Sequence, residues 1–139
     1  MQILIIDDDP ASTDLFTLML QQSIVAEVIT ANSSSEGIAL SRKYQPDLII
    51  LNLMMPVMNG IEVCREIRQF YHRPILALSA IHQPEWIASA LDAGADDCLC
   101  KPVGRSMLTT RIAGLLRRSS KCSEPHDFTS APTFTTSNL

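Results

Sequence analysis

The stretch DLIILNLMMP places the narrowest limit on what this chain folds into. Leu48 to Leu51 run apolar without a break, Leu53 and Met54 follow, and the one polar interruption is Asn52. A short apolar run closed by a proline reads as a strand buried on both faces, the pattern that parallel sheets require because crossover helices cover both sides. Asn52 then falls where the strand leaves the sheet.

The rest of the chain alternates between short and long apolar periods. Strands are expected at Gln2 to Ile6, Asp47 to Asn52, Pro74 to Ser79 and Asp97 to Cys100, with a weaker one at Glu27 to Ala31. Helices are expected at Pro10 to Gln22, Ser33 to Tyr44, Gly60 to Phe70, Pro84 to Ala93 and Arg105 to Arg118. In the first helix the spacing turns Ala11, Leu15, Leu18 and Met19 inward. In the second it turns in Ile38 and Leu40, and in the third Ile61, Val63, Cys64 and Ile67. Strands that alternate with helices call for an α/β doubly wound parallel sheet, of which the flavodoxin-like order 2-1-3-4-5 is one common solution. Periodicity alone does not give the strand order.

With 139 residues, 46% hydrophobic and 19% charged, the chain has the make-up of one globular domain. That domain is expected over residues 1–118. The remainder, SSKCSEPHDFTSAPTFTTSNL at its start and end rich in Ser, Thr and Pro, reads as a linker or flexible tail over 119–139. A net charge of -4 offers no basic surface for nucleic acid, so direct contact with it is not expected. No apolar stretch reaches the ~20 residues of a bilayer span, and MQILIIDDDP lacks the basic start of a signal peptide, which gives the expectation of a cytoplasmic protein with no membrane contact. Cys64, Cys98, Cys100 and Cys122 fit a reducing compartment; Cys98-x-Cys100 has no second Cys or His cluster to complete a metal site.

Functional sites of doubly wound folds lie beyond the carboxyl ends of the strands. The sequence puts Asp7, Asp8 and Asp9 after the first strand, Asn52 after the third, Ser79 after the fourth and Lys101 after the fifth. Asp9 is explained by helix geometry: it is a good N-cap, and Pro10 suits the first helical position. Asp7 and Asp8 are two adjacent acids that repel, and they read either as ligands of a hard divalent cation such as Mg2+ or as a solvated turn.

Strand-DDDP, PDLIILNLMMPVMNG, ALSA and GADDCLCKP, in that order, resemble the receiver (CheY-like) domain of two-component response regulators, over residues 1 to about 118. The resemblance implies Asp7, Asp8 and the backbone carbonyl of Met54 as Mg2+ ligands. It further implies Ser79 as the switch hydroxyl, Lys101 as the cation that pairs with the phosphoryl group, and a cis bond between Lys101 and Pro102. At position 52 such receivers carry the aspartate that accepts the phosphoryl group from a sensor histidine kinase, and this chain has Asn52. An amide nitrogen has its lone pair tied up in resonance, so Asn52 is expected to be inactive as a phosphoacceptor, and with one carboxylate fewer Mg2+ binding is expected to be weakened. Asn52 also adds two donors, which are expected to reach Asp8. The asparagine is either native or a replacement that locks an ordinary receiver off.

A second departure is Cys98, which stands three residues before Lys101 where receivers commonly carry the aromatic ring of the switch. The segment DAGADDCLCKP followed by TTRIAGLLRRSS is most similar to receivers of winged-helix transcription factors, which dimerise through the fourth helix, fifth strand and fifth helix. That similarity implies Asp97 with Arg111 and Asp96 with Arg118 across a dimer. Ile87 and Met107 occupy positions that often carry further charges, so any homodimer is expected to be weak. The same charges also fit a solvated face. Trp86, the only tryptophan, is either an interface anchor or a partly buried core residue. The chain is thus expected to be a regulatory module and not an enzyme, possible output being a DNA-binding domain beyond Leu139. The competing class is a Mg2+-dependent phosphoryl-transfer enzyme on the same fold, against which stand only five glycines and no phosphate-cradling loop.

Overall fold

The computed structural model describes residues 1–122, in which five strands and five helices alternate: β1 (Gln2–Ile6), α1 (Pro10–Ser23), β2 (Glu27–Ala31), α2 (Ser34–Tyr44), β3 (Leu48–Asn52), α3 (Gly60–Arg68), β4 (Ile75–Ser79), α4 (Pro84–Asp92), β5 (Asp97–Cys100) and α5 (Arg105–Cys122). The strands form one sheet in the order β2-β1-β3-β4-β5, every neighbouring pair parallel. This is the flavodoxin-like order. It sets β1 beside β3, with Ile6 opposite Leu51, so the acids that follow β1 and the asparagine that ends β3 emerge side by side.

The two faces of the sheet are filled by alternate residues of the same strands, as the period of two demands. Leu4, Ile6, Ile49, Leu51, Ile75 and Ala77 pack under α2, α3 and α4, and Ile3, Ile5, Leu48, Ile50, Leu76 and Leu78 under α1 and α5. β3 and β4 are buried at every position. That explains their uninterrupted apolar character.

The inward face of α1 differs from the expected one. Thr13, Phe16 and Leu20 are buried, whereas Ala11, Leu15 and Leu18 are exposed and Met19 is half-buried. α1 is apolar on most sides, and Thr13 can enter the core because its hydroxyl donates to the carbonyl of Pro10 and accepts from the Asn32 amide. A satisfied hydroxyl costs little to bury. In α3, Ile61, Val63, Cys64 and Ile67 all face the core, and Ile38 and Leu40 of α2 pack against it.

Element ends follow local chemistry. β3 starts at Leu48 and not Asp47, whose carboxylate takes the Gln2 N–H at 2.8 Å; β4 starts at Ile75 and not Pro74, which has no N–H to give a ladder. α5 continues past Arg118 to Cys122, so the expected start of the tail at 119 is helical; residues 123–139 lie outside the described residues. Among the described residues no helix is long and apolar enough to cross a membrane.

Candidate functional site

Asp7 and Asp8 reach the carboxyl edge of the sheet because the chain turns directly from β1 into α1. Asp9 caps that helix, its Oδ1 accepting from Ala11 N at 3.1 Å with Pro10 next in line. The Asp9 N–H in turn donates to Asp7 Oδ1 at 3.0 Å, and the Asn32 amide donates to the Asp7 carbonyl at 2.9 Å. Asn32 was not legible as a site residue in the sequence. Its only signal is its place after β2, at the same edge.

Asn52 ends β3 with 5% of its surface exposed, and Asp7 beside it has 2%. The segment after Asn52 folds back so that Gly60, at the start of α3, lies against the strand: a Cβ there would sit 2.5 Å from the Asn52 carbonyl oxygen and 2.5 Å from Leu53 Cα. Only glycine permits that approach. Asn59 then closes a capping box with Glu62, each side chain accepting from the other's backbone N–H.

Three oxygens converge on one atom. Nδ2 of Asn52 lies 2.8 Å from the Met54 carbonyl, 3.3 Å from Asp7 Oδ1 and 3.4 Å from Asp8 Oδ1. Because all three are acceptors, the donor end of the amide must face them. Two carboxylates and a carbonyl are hard oxygen donors of the number Mg2+ takes while keeping several waters. Among the described residues no three or more His, Cys, Asp or Glu side chains cluster as a metal cage.

Lys101 approaches from β5, its Nζ 3.4 Å from Asp7 Oδ2. Burial nonetheless dominates the titration of Asp7 and holds its pKa above the ordinary carboxylate value, against the lowering effects of the Asp9 N–H and Lys101. Ser79 is fully buried at the end of β4 and faces its own loop: Oγ donates to the Ile81 carbonyl at 2.9 Å and accepts from Ile81 N at 3.0 Å. The Lys101–Pro102 bond is cis. Asp7, Asp8, Asn52, Met54 and Lys101 are therefore joined by direct contacts, while Ser79 stands at the same edge and bonds elsewhere.

The remaining candidates lie off this crevice. Cys98 is half-buried against the core side that carries α3 and α4, and burial raises its thiol to about 11, so it is neither a ring nor a reactive thiolate. Asp97 pairs with Arg111 within the chain at 2.6 Å. Asp96 pairs within the chain with Arg68 at 2.7 Å and accepts from Ile75 N at 2.9 Å, while Arg118 Nε reaches the Gly114 carbonyl of its own helix at 3.4 Å. Trp86 is half-buried against the same core side, and its indole N–H finds no partner among the described residues.

Known proteins share this chain's sequence family and its fold. A family model for the response regulator receiver domain matches residues 3–113. The transcriptional regulatory protein AfsQ1 of Streptomyces coelicolor is 40% identical over 119 residues, covering 86% of this chain and 52% of that protein. The DNA-binding dual master transcriptional regulator RpaA of a Synechocystis species is 39% identical over 123 residues, covering 86% of this chain and 51% of that protein. The chain thus spans about half the length of the curated relatives it matches. Among solved structures, a CheY-like receiver from Methanospirillum hungatei superposes with a TM-score of 0.83 at 27% identity, covering 88% of this chain and 98% of that one. A receiver from Clostridium thermocellum gives 0.82 at 27% identity, covering 87% and 98%.

Proposed function

This chain belongs to the response regulator receiver family of two-component signal transduction, and from that premise we propose a receiver module that does not accept a phosphoryl group at residue 52. The observation that carries the reading is the Asn52 amide, whose two N–H donors are spread over the three oxygens of the acidic crevice, nearest the Met54 carbonyl. The nitrogen is no nucleophile, and no neighbouring group is a base strong enough to make it one. Asp7, Asp8 and the Met54 carbonyl are the residues that would hold Mg2+, and the metal would supply charge neutralisation of the crevice. To admit it, the amide must turn so that Oδ1 replaces the donor end, which supports weakened binding.

Ser79 keeps its hydroxyl on the Ile81 backbone, and Lys101 stays on Asp7. Together they describe a resting arrangement without a phosphoryl group to draw either of them over. Receiver domains of this family are signalling modules and generally not enzymes, and they are phosphorylated by sensor histidine kinases. Here a sensor kinase is a partner by docking, without productive transfer to residue 52. Output is assigned to the face of α4, β5 and α5, and by analogy with the relatives to a DNA-binding domain outside this chain. Because Asp97 and Asp96 already have partners within the chain, pairing across a dimer must share or break those contacts, so the dimer is weak.

The test is incubation with acetyl phosphate and Mg2+, followed by intact-mass measurement, on the protein and on Asn52→Asp. The protein should remain unlabelled while the variant gains one phosphoryl mass and dimerises more tightly. Labelling of the unsubstituted protein at residue 52 would overturn the reading.

A further inference from the structure

Beside the crevice, and sharing only Asp8 with the three oxygens that hold the Asn52 amide, a cavity of about 300 Å³ opens between the start of α2 and the loop that follows β3. Ile38, Met55, Pro56 and Met58 give it apolar walls, Asp8 gives it one carboxylate, and Ser33 to Ser35 contribute the N-terminal turn of α2. Volume at the lower end of small-molecule sites, an apolar lining and few polar groups are the marks of a ligand pocket.

The cavity is held open by contacts of its own. Ser34 Oγ donates to the Met58 carbonyl at 2.6 Å, which ties α2 to the loop across it. At its edge Val57 is fully exposed and has φ 68°, a left-handed backbone that a β-branched residue rarely adopts. An apolar side chain is thus displayed in solvent next to an apolar hollow.

Charge decides what chemistry fits. Asp7 has Lys101, but among the described residues no Lys or Arg comes within ion-pair distance of Asp8, whose one contact is the Asn52 amide at 3.4 Å. The positive end of the α2 dipole does not call for an anion, because Glu36 already sits there and accepts from Asn32 N at 2.9 Å. Asp8 is the one charged group on the cavity wall, so in the metal-free protein the complementary ligand is a cation.

We infer that this cavity binds a small organic cation, an apolar ring or chain of about ten non-hydrogen atoms that carries one ammonium group. The ammonium donates to Asp8, and the apolar body lies against Met55, Met58 and Ile38. The thioether side chains adapt to its outline. The inference does not depend on whether residue 52 accepts a phosphoryl group, and it is tested without metal.

The probes are 2-phenylethylamine and its neutral counterpart 2-phenylethanol, titrated in EDTA at pH 7 into protein labelled with 13C at the methionine methyls. The amine should shift the Met55 and Met58 signals saturably and leave Met107, on α5, unmoved. The alcohol should bind about tenfold more weakly, since it lacks the charge-assisted bond. Asp8→Asn, at an exposed position where folding is not at stake, should weaken the amine by about the same factor and leave the alcohol unchanged. Absent shifts at Met55 and Met58, equal binding of the two probes, or an amine indifferent to Asp8→Asn would each overturn the inference.

Discussion

Placing a carboxylate at residue 52 should make the metal-free protein markedly less stable, and the size of the loss follows from the crevice. Asn52 Nδ2 lies 3.3 Å from Asp7 Oδ1, so Asn52→Asp replaces an attractive contact with two carboxylates face to face. At about 4 Å and an effective dielectric of roughly 20, two such charges repel by about 4 kcal/mol. Protonation sets a ceiling of similar size. Holding one carboxyl neutral at pH 7, starting from its ordinary 3.8, costs about 4 kcal/mol at roughly 1.4 kcal/mol per unit. Lys101, 3.4 Å from Asp7, offsets part of either cost. A net destabilisation of about 2–4 kcal/mol is expected in EDTA, read from urea unfolding with the slope unchanged. Mg2+ should restore most of it, because a cation bound by the folded state alone stabilises by mass action. If the variant in EDTA were as stable as the parent, or if Mg2+ moved both proteins equally, the assignment of the three oxygens around residue 52 would be wrong.

Asp7→Asn should stabilise the metal-free protein, and the sign reverses the usual carboxylate case. The folded-state pKa of Asp7 is raised by burial, so stability is lost as pH rises from 3.8 through that higher value, and the variant should escape this loss; urea titrations across acid to neutral pH measure it. Gly60→Ala should cost about 1–3 kcal/mol, since the new methyl meets backbone atoms of Asn52 and Leu53 that cannot move aside, and thermal unfolding would register it. Tyr71→Phe should cost about 1–3 kcal/mol by leaving the buried Pro46 carbonyl without the hydroxyl that reaches it at 2.8 Å, with urea unfolding again the measure.

The sheet was legible because β3 and β4 are buried on both faces and therefore apolar at nearly every position, which no other element of this length tolerates. α1 was misread for the opposite reason. Its apolar residues surround the helix, and the choice between Leu15 and Thr13 as the inward residue turned on a hydroxyl partner, Pro10, that only the folded backbone supplies. The site residues at strand ends were legible by position, since topology carries them to one edge whatever their side chains. Their bonding was less so. Asn52 bonds the Met54 carbonyl and both acids, where Asp8 alone was foreseen. The partners of Asp96 and Asp97 depend on how loops bring Arg68 and Arg111 close, and sequence spacing does not distinguish a partner in the same chain from one in a second copy. The cavity over Asp8 left no trace in the sequence beyond an unremarked cluster of methionines, because it is defined by the space between two segments.

Arg68 gives its guanidinium to the carbonyls of Gly94, Tyr71 and Arg73 and to the carboxylate of Asp96, all at the end of the sheet opposite the crevice. One side chain thus ties the loop before β4 to the loop before β5, as Asp7 at the opposite edge gathers Asn32, Asn52 and Lys101 from three other elements. The starts of β4 and β5 therefore hang on a single guanidinium, and losing it would loosen both loops at once.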